Sequence, residues 1–169
     1  MLAAPMDNAT LHCLIEIPRG SRNKYEWDPD LQAIKLNRFL FSSVVYPTYY
    51  GFVTDTLGPH GDALDALVCV SAATFPGCLI AVRAVGVLRM SDEEGQSDKL
   101  VCVPTDDPAW DEIDDLDALS PQLRLEIEHF YSMYKQPEGK DVDVQGWDGA
   151  AAAAEAIDEG RRRFQEERS

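Results

Sequence analysis

Residues 46–70, YPTYYGFVTDTLGPHGDALDALVCV, run from a tyrosine-rich apolar segment through a glycine-flanked acidic turn into a second apolar segment. Two strand-like runs, 44–53 and 65–72, are thereby joined with no helix between them. Within the turn, His60-Gly61-Asp62-Ala63-Leu64-Asp65 projects carboxylates from a backbone that glycine lets fold tightly. Hard oxygen donors gathered in this way suit Mg²⁺ or Mn²⁺ and not a thiolate-seeking metal.

The segments on either side read in the same way. Leu11, Cys13, Ile15 and Ile17 alternate along one face of a strand whose other face carries Glu16. Residues 23–27 form a second strand, with Lys24 and Glu26 opposite Tyr25 and Trp27. Asp28-Pro29-Asp30 is a turn, and 34–41 a third strand. Runs at 79–90 and 99–103 complete a series of short strands without intervening helices, which predicts an antiparallel barrel or sandwich.

Helices follow the strands. Ser120 and Pro121 supply an N-cap and a first-turn proline, and Leu123, Ile127, Phe130, Tyr131 and Tyr134 recur at helical spacing, with Gly139 just beyond. Asp148 is expected to cap a last helix running through the alanines at 150–154 to about residue 164. Arg161, Arg162 and Arg163 suit the negative end of that helix. With no repeat or linker, one α+β domain over residues 1–169 is the economical reading.

Thirty acidic against 15 basic residues give a formal net charge of −15. That field repels nucleic acid and anionic membrane and attracts cations, so neither of those partners is expected. The start of the chain lacks a basic region before its short apolar run, unlike a signal peptide, and no window approaches the roughly 18 apolar residues of a membrane span. Cys13, Cys69, Cys78 and Cys102 are widely spaced in apolar surroundings and read as free thiols in a reducing cytosol.

The chemistry-bearing residues fall in four clusters: Glu16, Lys24, Glu26 and Arg38; Tyr46, Tyr50, Asp62 and Asp65; Asp92, Glu93, Asp98 and Lys99; and Tyr134 with Lys135. Taken singly, each has a plainer reading. Lys24 and Glu26 could be a solvated strand face, the acidic turn a loop, Tyr134 core and Lys135 a helix-end cation. Together they supply what phosphoryl chemistry needs: carboxylates for divalent cations, cationic donors for phosphate, and phenols for orientation.

The ordered segments IEIPRGSRNKYE, NRFL, YPTYYGF, GDALDALV, GVLRMSDEEG and HFYSMYK resemble the family I soluble inorganic pyrophosphatases, particularly the short bacterial members. The resemblance covers nearly the whole chain, from about Leu11 to Trp147. It implies a small OB-like five-stranded β-barrel with flanking helices, assembled as a homo-oligomer, commonly a hexamer. It also implies Mg²⁺-dependent hydrolysis of pyrophosphate to two phosphates in the cytoplasm. By position, Glu16, Asp65 and Asp92 would hold metal. Lys24, Arg38, Tyr134 and Lys135 would bind the phosphates, with Lys99 beside the metals. Glu26 and Tyr46 would support the site, Tyr50 would orient the attacking oxygen, and Asp62 would act near the nucleophilic water and share in metal binding.

Two positions depart from the family pattern. His60 stands where an aspartate is expected, and Ser97 replaces a second aspartate two residues before Lys99. An imidazole and a hydroxyl in place of two carboxylates weaken a site for Mg²⁺ and favour Mn²⁺, Co²⁺ or Zn²⁺. Asp98 would restore a metal carboxylate if its loop slipped by one residue. Besides a metal-shifted pyrophosphatase, two readings stay open. One is an enzyme recruited to an organic phosphate or non-phosphate substrate in a specialised biosynthetic pathway, with His60 as a catalytic acid or base. The other is a non-catalytic homologue.

Overall fold

The structure, a computed structural model, describes residues 10–169, so the expectation for the residues before them lies outside the described part. The strands are β1 (Leu11–Ile17), β2 (Asn23–Asp28), β3 (Ala33–Phe39), β4 (Tyr49–Val53), β5 (Asp65–Val68), β6 (Leu79–Asp92), β7 (Gly95–Gln96), β8 (Lys99–Pro104) and β9 (Asp143–Gly149). The helices are α1 (Pro121–Met133) and α2 (Ala150–Arg168).

Strand β1 pairs with both β4 and β6. Following the ladder from β4 through β5 and β8 to β6 leads back to β1, so five strands make a barrel-like circuit. Strands β2 and β3 form a separate hairpin, and β7 and β9 extend the long β6. The expected α+β architecture with an OB-like β core and flanking helices is thus present.

Period-two alternation divides the core. Ala66 and Val68 of β5 and Leu100 and Cys102 of β8 pack with Cys13, Ile15, Val53, Ala153 and Ile157. Leu67, Val101 and Val103, which point the opposite way, pack with Phe130, Tyr131 and Tyr134 on and beyond α1. Strands buried on both faces read as continuous apolar runs, which is why β5 and β8 are plain in the sequence. Cys13, Cys69 and Cys102 are buried and Cys78 is partly so, all as free thiols. Burial pushes Cys69 up to about 12, leaving it unreactive. No helix among the described residues is long and apolar enough to cross a membrane.

Several expectations need correcting. The β5–β8 pairing is parallel, so the sheet is not wholly antiparallel. The run at 44–53 becomes strand only from Tyr49. Asp148 does not cap the last helix: it lies within β9, opposite Val87, and its carboxylate accepts from Arg89 Nε at 2.8 Å. Asp115 takes the capping role from a distant loop, its Oδ1 accepting from Ala150 N at 2.9 Å.

Gly51 is the tightest backbone contact in the barrel. A Cβ there would sit 1.9 Å from the Leu14 carbonyl oxygen, across the β1–β4 ladder. Backbone on a paired strand cannot give way as a flexible side chain can. Gly51→Ala is therefore expected to cost about 3 kcal/mol, read as a lowered midpoint of denaturant unfolding. It should also displace Tyr50, its neighbour in the cleft described next.

Candidate active site

A cleft of about 840 Å³ gathers residues from β1, β2, β4, the 58–65 turn, the β6–β8 region and the end of α1. Glu16, Lys24, Glu26, Tyr46, Tyr50, His60, Asp62, Asp65, Asp92, Asp98, Lys99, Tyr134 and Lys135 all line it. Residues more than a hundred positions apart in the chain are thus brought to one place. Arg38 does not line the cleft. Paired with Lys24 across the β2–β3 ladder, it stands at the rim with its guanidinium donating to Glu138.

Cations crowd one side. Lys24 makes no side-chain hydrogen bond or ion pair among the described residues, and its affinity for a proton is pulled down by burial and then by Arg38, Lys135 and Lys99. Positive charge is thus concentrated around a lysine with no side-chain partner among the described residues, an arrangement suited to an anion. Lys99 is 5% exposed. Its Nζ donates to Asp65 at 2.7 Å and to Ser97 Oγ at 2.8 Å. Lys135 Nζ donates to Asp92 at 3.1 Å and to Glu93 at 3.1 Å.

Phenols make the floor. Tyr46 packs on Phe130 with ring centroids 4.5 Å apart and tilts against Tyr50 at 5.9 Å. Tyr134 stacks on Phe130 at 5.2 Å. Burial pushes all three hydroxyls well above the ordinary tyrosine range, so they remain neutral hydrogen-bond donors at any working pH.

Carboxylates complete the site. Glu16 accepts a hydrogen bond from Trp27 N at 2.8 Å. Burial drives it up to about 7, with Asp65 and Glu26 adding repulsion against the opposing pull of the Trp27 amide and Lys24. Asp92 behaves oppositely. Burial works against its charge, but the Glu94 amide and Lys135 hold it below the usual carboxylate range. Asp62 makes no side-chain hydrogen bond or ion pair among the described residues.

The mutual repulsion of Glu16 and Asp65 and the hard oxygen chemistry of Glu16, Asp62, Asp65 and Asp92 fit a divalent cation. Among the described residues no three His, Cys, Asp or Glu side chains already converge as a metal-ligand group. Lys99 and Lys135 instead hold two of the carboxylates. Asp98 does not restore the missing aspartate. Its Oδ2 accepts from Arg89 Nη1 at 2.8 Å, and its Oδ1 accepts from Gln96 Nε2 at 2.6 Å and Met90 N at 3.3 Å. Ser97 Oγ sits beside Lys99, whereas the Asp98 carboxylate, although it also lines the cleft, is taken up by these partners. The imidazole of His60 lies at the cleft mouth against Gly95, whose ideal Cβ would be 3.7 Å from its Nε2.

Glu138, which fixes Arg38, carried no signal in the sequence. Tyr131, read only as a core position, lines the cleft.

The charge of Glu16 gives a test in the metal-free protein. A carboxyl raised from 4.5 to about 7 keeps its proton in the folded state while the unfolded chain releases it. Its contribution to stability is full below about pH 4.5 and is lost as pH rises through about 7. Glu16→Gln, which can still accept from Trp27, is expected to gain about 3 kcal/mol over the wild type between pH 5 and 8 in chelator. Urea unfolding at several pH values reads this out. Parallel pH profiles for the two proteins would contradict it.

The comparisons agree with this geometry. The family model for inorganic pyrophosphatase matches residues 13–165. An inorganic pyrophosphatase of Methanosarcina acetivorans is 51% identical over 153 residues, covering 90% of this chain and 91% of its own length. One from Streptomyces coelicolor is 51% identical over 154 residues, covering 90% and 94%. Among solved structures, the inorganic pyrophosphatase of Thermus thermophilus superposes with a TM-score of 0.90 at 40% identity, covering 98% of this chain and 97% of that one. With cations, phenols and carboxylates converging in the order that the motifs suggested, and the match running nearly end to end, the chain belongs to the inorganic pyrophosphatase family.

Proposed function

We propose that this protein hydrolyses inorganic pyrophosphate to two phosphates with a divalent cation. The observation that carries the reading is Lys24, a half-buried ammonium without a side-chain partner among the described residues, under the positive charges of Arg38, Lys99 and Lys135. A doubly phosphorylated anion satisfies that arrangement, and an uncharged substrate does not. The retained cations and phenols, and relatives at about half identity named inorganic pyrophosphatase, favour this over recruitment to an organic phosphate or a non-catalytic role.

In the mechanism, Lys24 and Lys135 hold phosphate oxygens, with Arg38 charging the rim and Tyr134 donating from the helix end. Tyr50 orients the attacking water and Asp62 takes its proton. Oxygen of that water bonds to one phosphorus as the bridging P–O bond breaks, and the leaving phosphate keeps its electron pair under the stabilising charge of the lysines. Glu16, Asp62, Asp65 and Asp92 would hold a divalent cation, which would supply further charge neutralisation and a more acidic water. Glu26 and Tyr46 support these groups.

With His60 and Ser97 in the site, Mn²⁺ or Co²⁺ is the preferred metal over Mg²⁺, and Zn²⁺ is a further candidate. The same reading takes the chain as one domain working in the cytoplasm as a homo-oligomer, a hexamer by family resemblance. Exposed Phe39 and Phe41, at 58% and 68%, support self-association. Phosphate release from pyrophosphate with Mg²⁺, Mn²⁺, Co²⁺ and Zn²⁺ in turn tests the proposal. Turnover, faster with Mn²⁺ or Co²⁺ than with Mg²⁺, is expected; no turnover with any metal refutes it.

A further inference from the structure

Tyr131 is 2% exposed, and its hydroxyl has no hydrogen-bond partner among the described residues. Three other buried side-chain atoms share that condition, on Thr48, Arg124 and Glu138, but none of those residues lines the cleft, and Tyr131 does. Its position on α1, three and four residues before Tyr134 and Lys135, puts it on the same helical face one turn deeper. Lys99 Nζ lies between two rings, 5.8 Å from the centre of Tyr50 and 5.9 Å from that of Tyr131.

A phenylalanine would fill this space as well. The hydroxyl adds only a desolvated donor, which costs the unliganded fold unless something accepts from it. Asp65, the carboxylate whose charge reaches it, is already held by Lys99 and makes no hydrogen bond to that hydroxyl. Burial keeps the phenol neutral, so it has a proton to donate.

We infer that Tyr131 is a further substrate-binding residue, its hydroxyl donating a hydrogen bond to an anionic oxygen of the pyrophosphate held beside Lys99. The inference rests on the proposed pyrophosphate reading and adds a contact to it. Its logic is that of a site built for a ligand: the donor is unsatisfied in the free protein and satisfied in the complex.

Tyr131→Phe is the test, compared with the wild type in thermal unfolding of the free protein and in calorimetric titration with imidodiphosphate, a pyrophosphate analogue with a nitrogen bridge, at saturating Mn²⁺. The variant is expected to unfold at the same or a higher temperature, because an unsatisfied hydroxyl has been removed. Its dissociation constant for the analogue is expected to rise about tenfold. A purely packing role would lower the unfolding temperature and leave binding alone. A dissociation constant unchanged from a wild type that binds overturns this inference and leaves the proposed function standing. Failure of the wild type itself to bind the analogue overturns both.

Discussion

Replacing His60 and Ser97 together by aspartate is expected to tighten Mg²⁺ binding by at least about tenfold, and to raise pyrophosphate hydrolysis when Mg²⁺ is limiting. The His60 imidazole already sits at the cleft mouth against Gly95, and Ser97 Oγ already faces the cleft beside Lys99. New carboxylates at those positions therefore enter the cleft without rebuilding its walls. Asp98 lines the cleft too, but its carboxylate is already engaged by Arg89 and Gln96 and so does not supply the same free charge. Mg²⁺ responds most to charged oxygen, whereas Mn²⁺ and Co²⁺ accept imidazole, so the gain should be largest for Mg²⁺ and the metal preference should narrow. Calorimetric titration of each metal into wild type and double variant reads the affinities directly. Equal Mg²⁺ affinity in the two proteins would show that these positions do not set the metal site.

Removing the charge of Lys24 should have the largest effect on substrate binding. Lys24→Met keeps the apolar stem and deletes the ammonium. That group is half-buried and repelled by Arg38, Lys135 and Lys99, so the free protein should be no less stable and can gain stability. Pyrophosphate loses a charge-assisted contact, and KM should rise about 10- to 100-fold. A purely structural lysine behaves in the opposite way, losing stability with KM unchanged. Steady-state kinetics and thermal unfolding on the same preparation separate the two.

The parts of this molecule that were legible in its sequence are those set by local rules. Alternation along Leu11–Ile17, the Ser120-Pro121 helix start and the doubly buried runs of β5 and β8 all follow from the period of apolar residues. The direction of the β5–β8 pairing does not, since a parallel and an antiparallel partner look alike in a short apolar run. Strand β9 was hidden because its residues are mostly half-buried or exposed, and it is held by the long β6 and not by its own composition. Asp115 capping a helix that begins 35 residues later is a tertiary fact with no local sign.

The site was legible through the order of its motifs, which carry Lys24, Tyr50, Asp65, Lys99 and Lys135 into one cleft. The roles of Asp98 and Arg38 were not. Ser97 accompanies Lys99 through a direct hydrogen bond, while its acidic neighbour is taken up by Arg89 and Gln96. Arg38 is diverted to the rim by Glu138, a partner a hundred positions away.

Phosphorus NMR of the wild-type protein mixed with pyrophosphate and Mg²⁺ measures most directly whether this cleft performs the proposed reaction. The pyrophosphate resonance should decline into a single orthophosphate resonance at two phosphates per molecule consumed, slowly at low Mg²⁺ and not at all in chelator. A pyrophosphate resonance that persists unchanged at saturating Mg²⁺, and equally when Mn²⁺ or Co²⁺ is supplied and removed before recording, would contradict it.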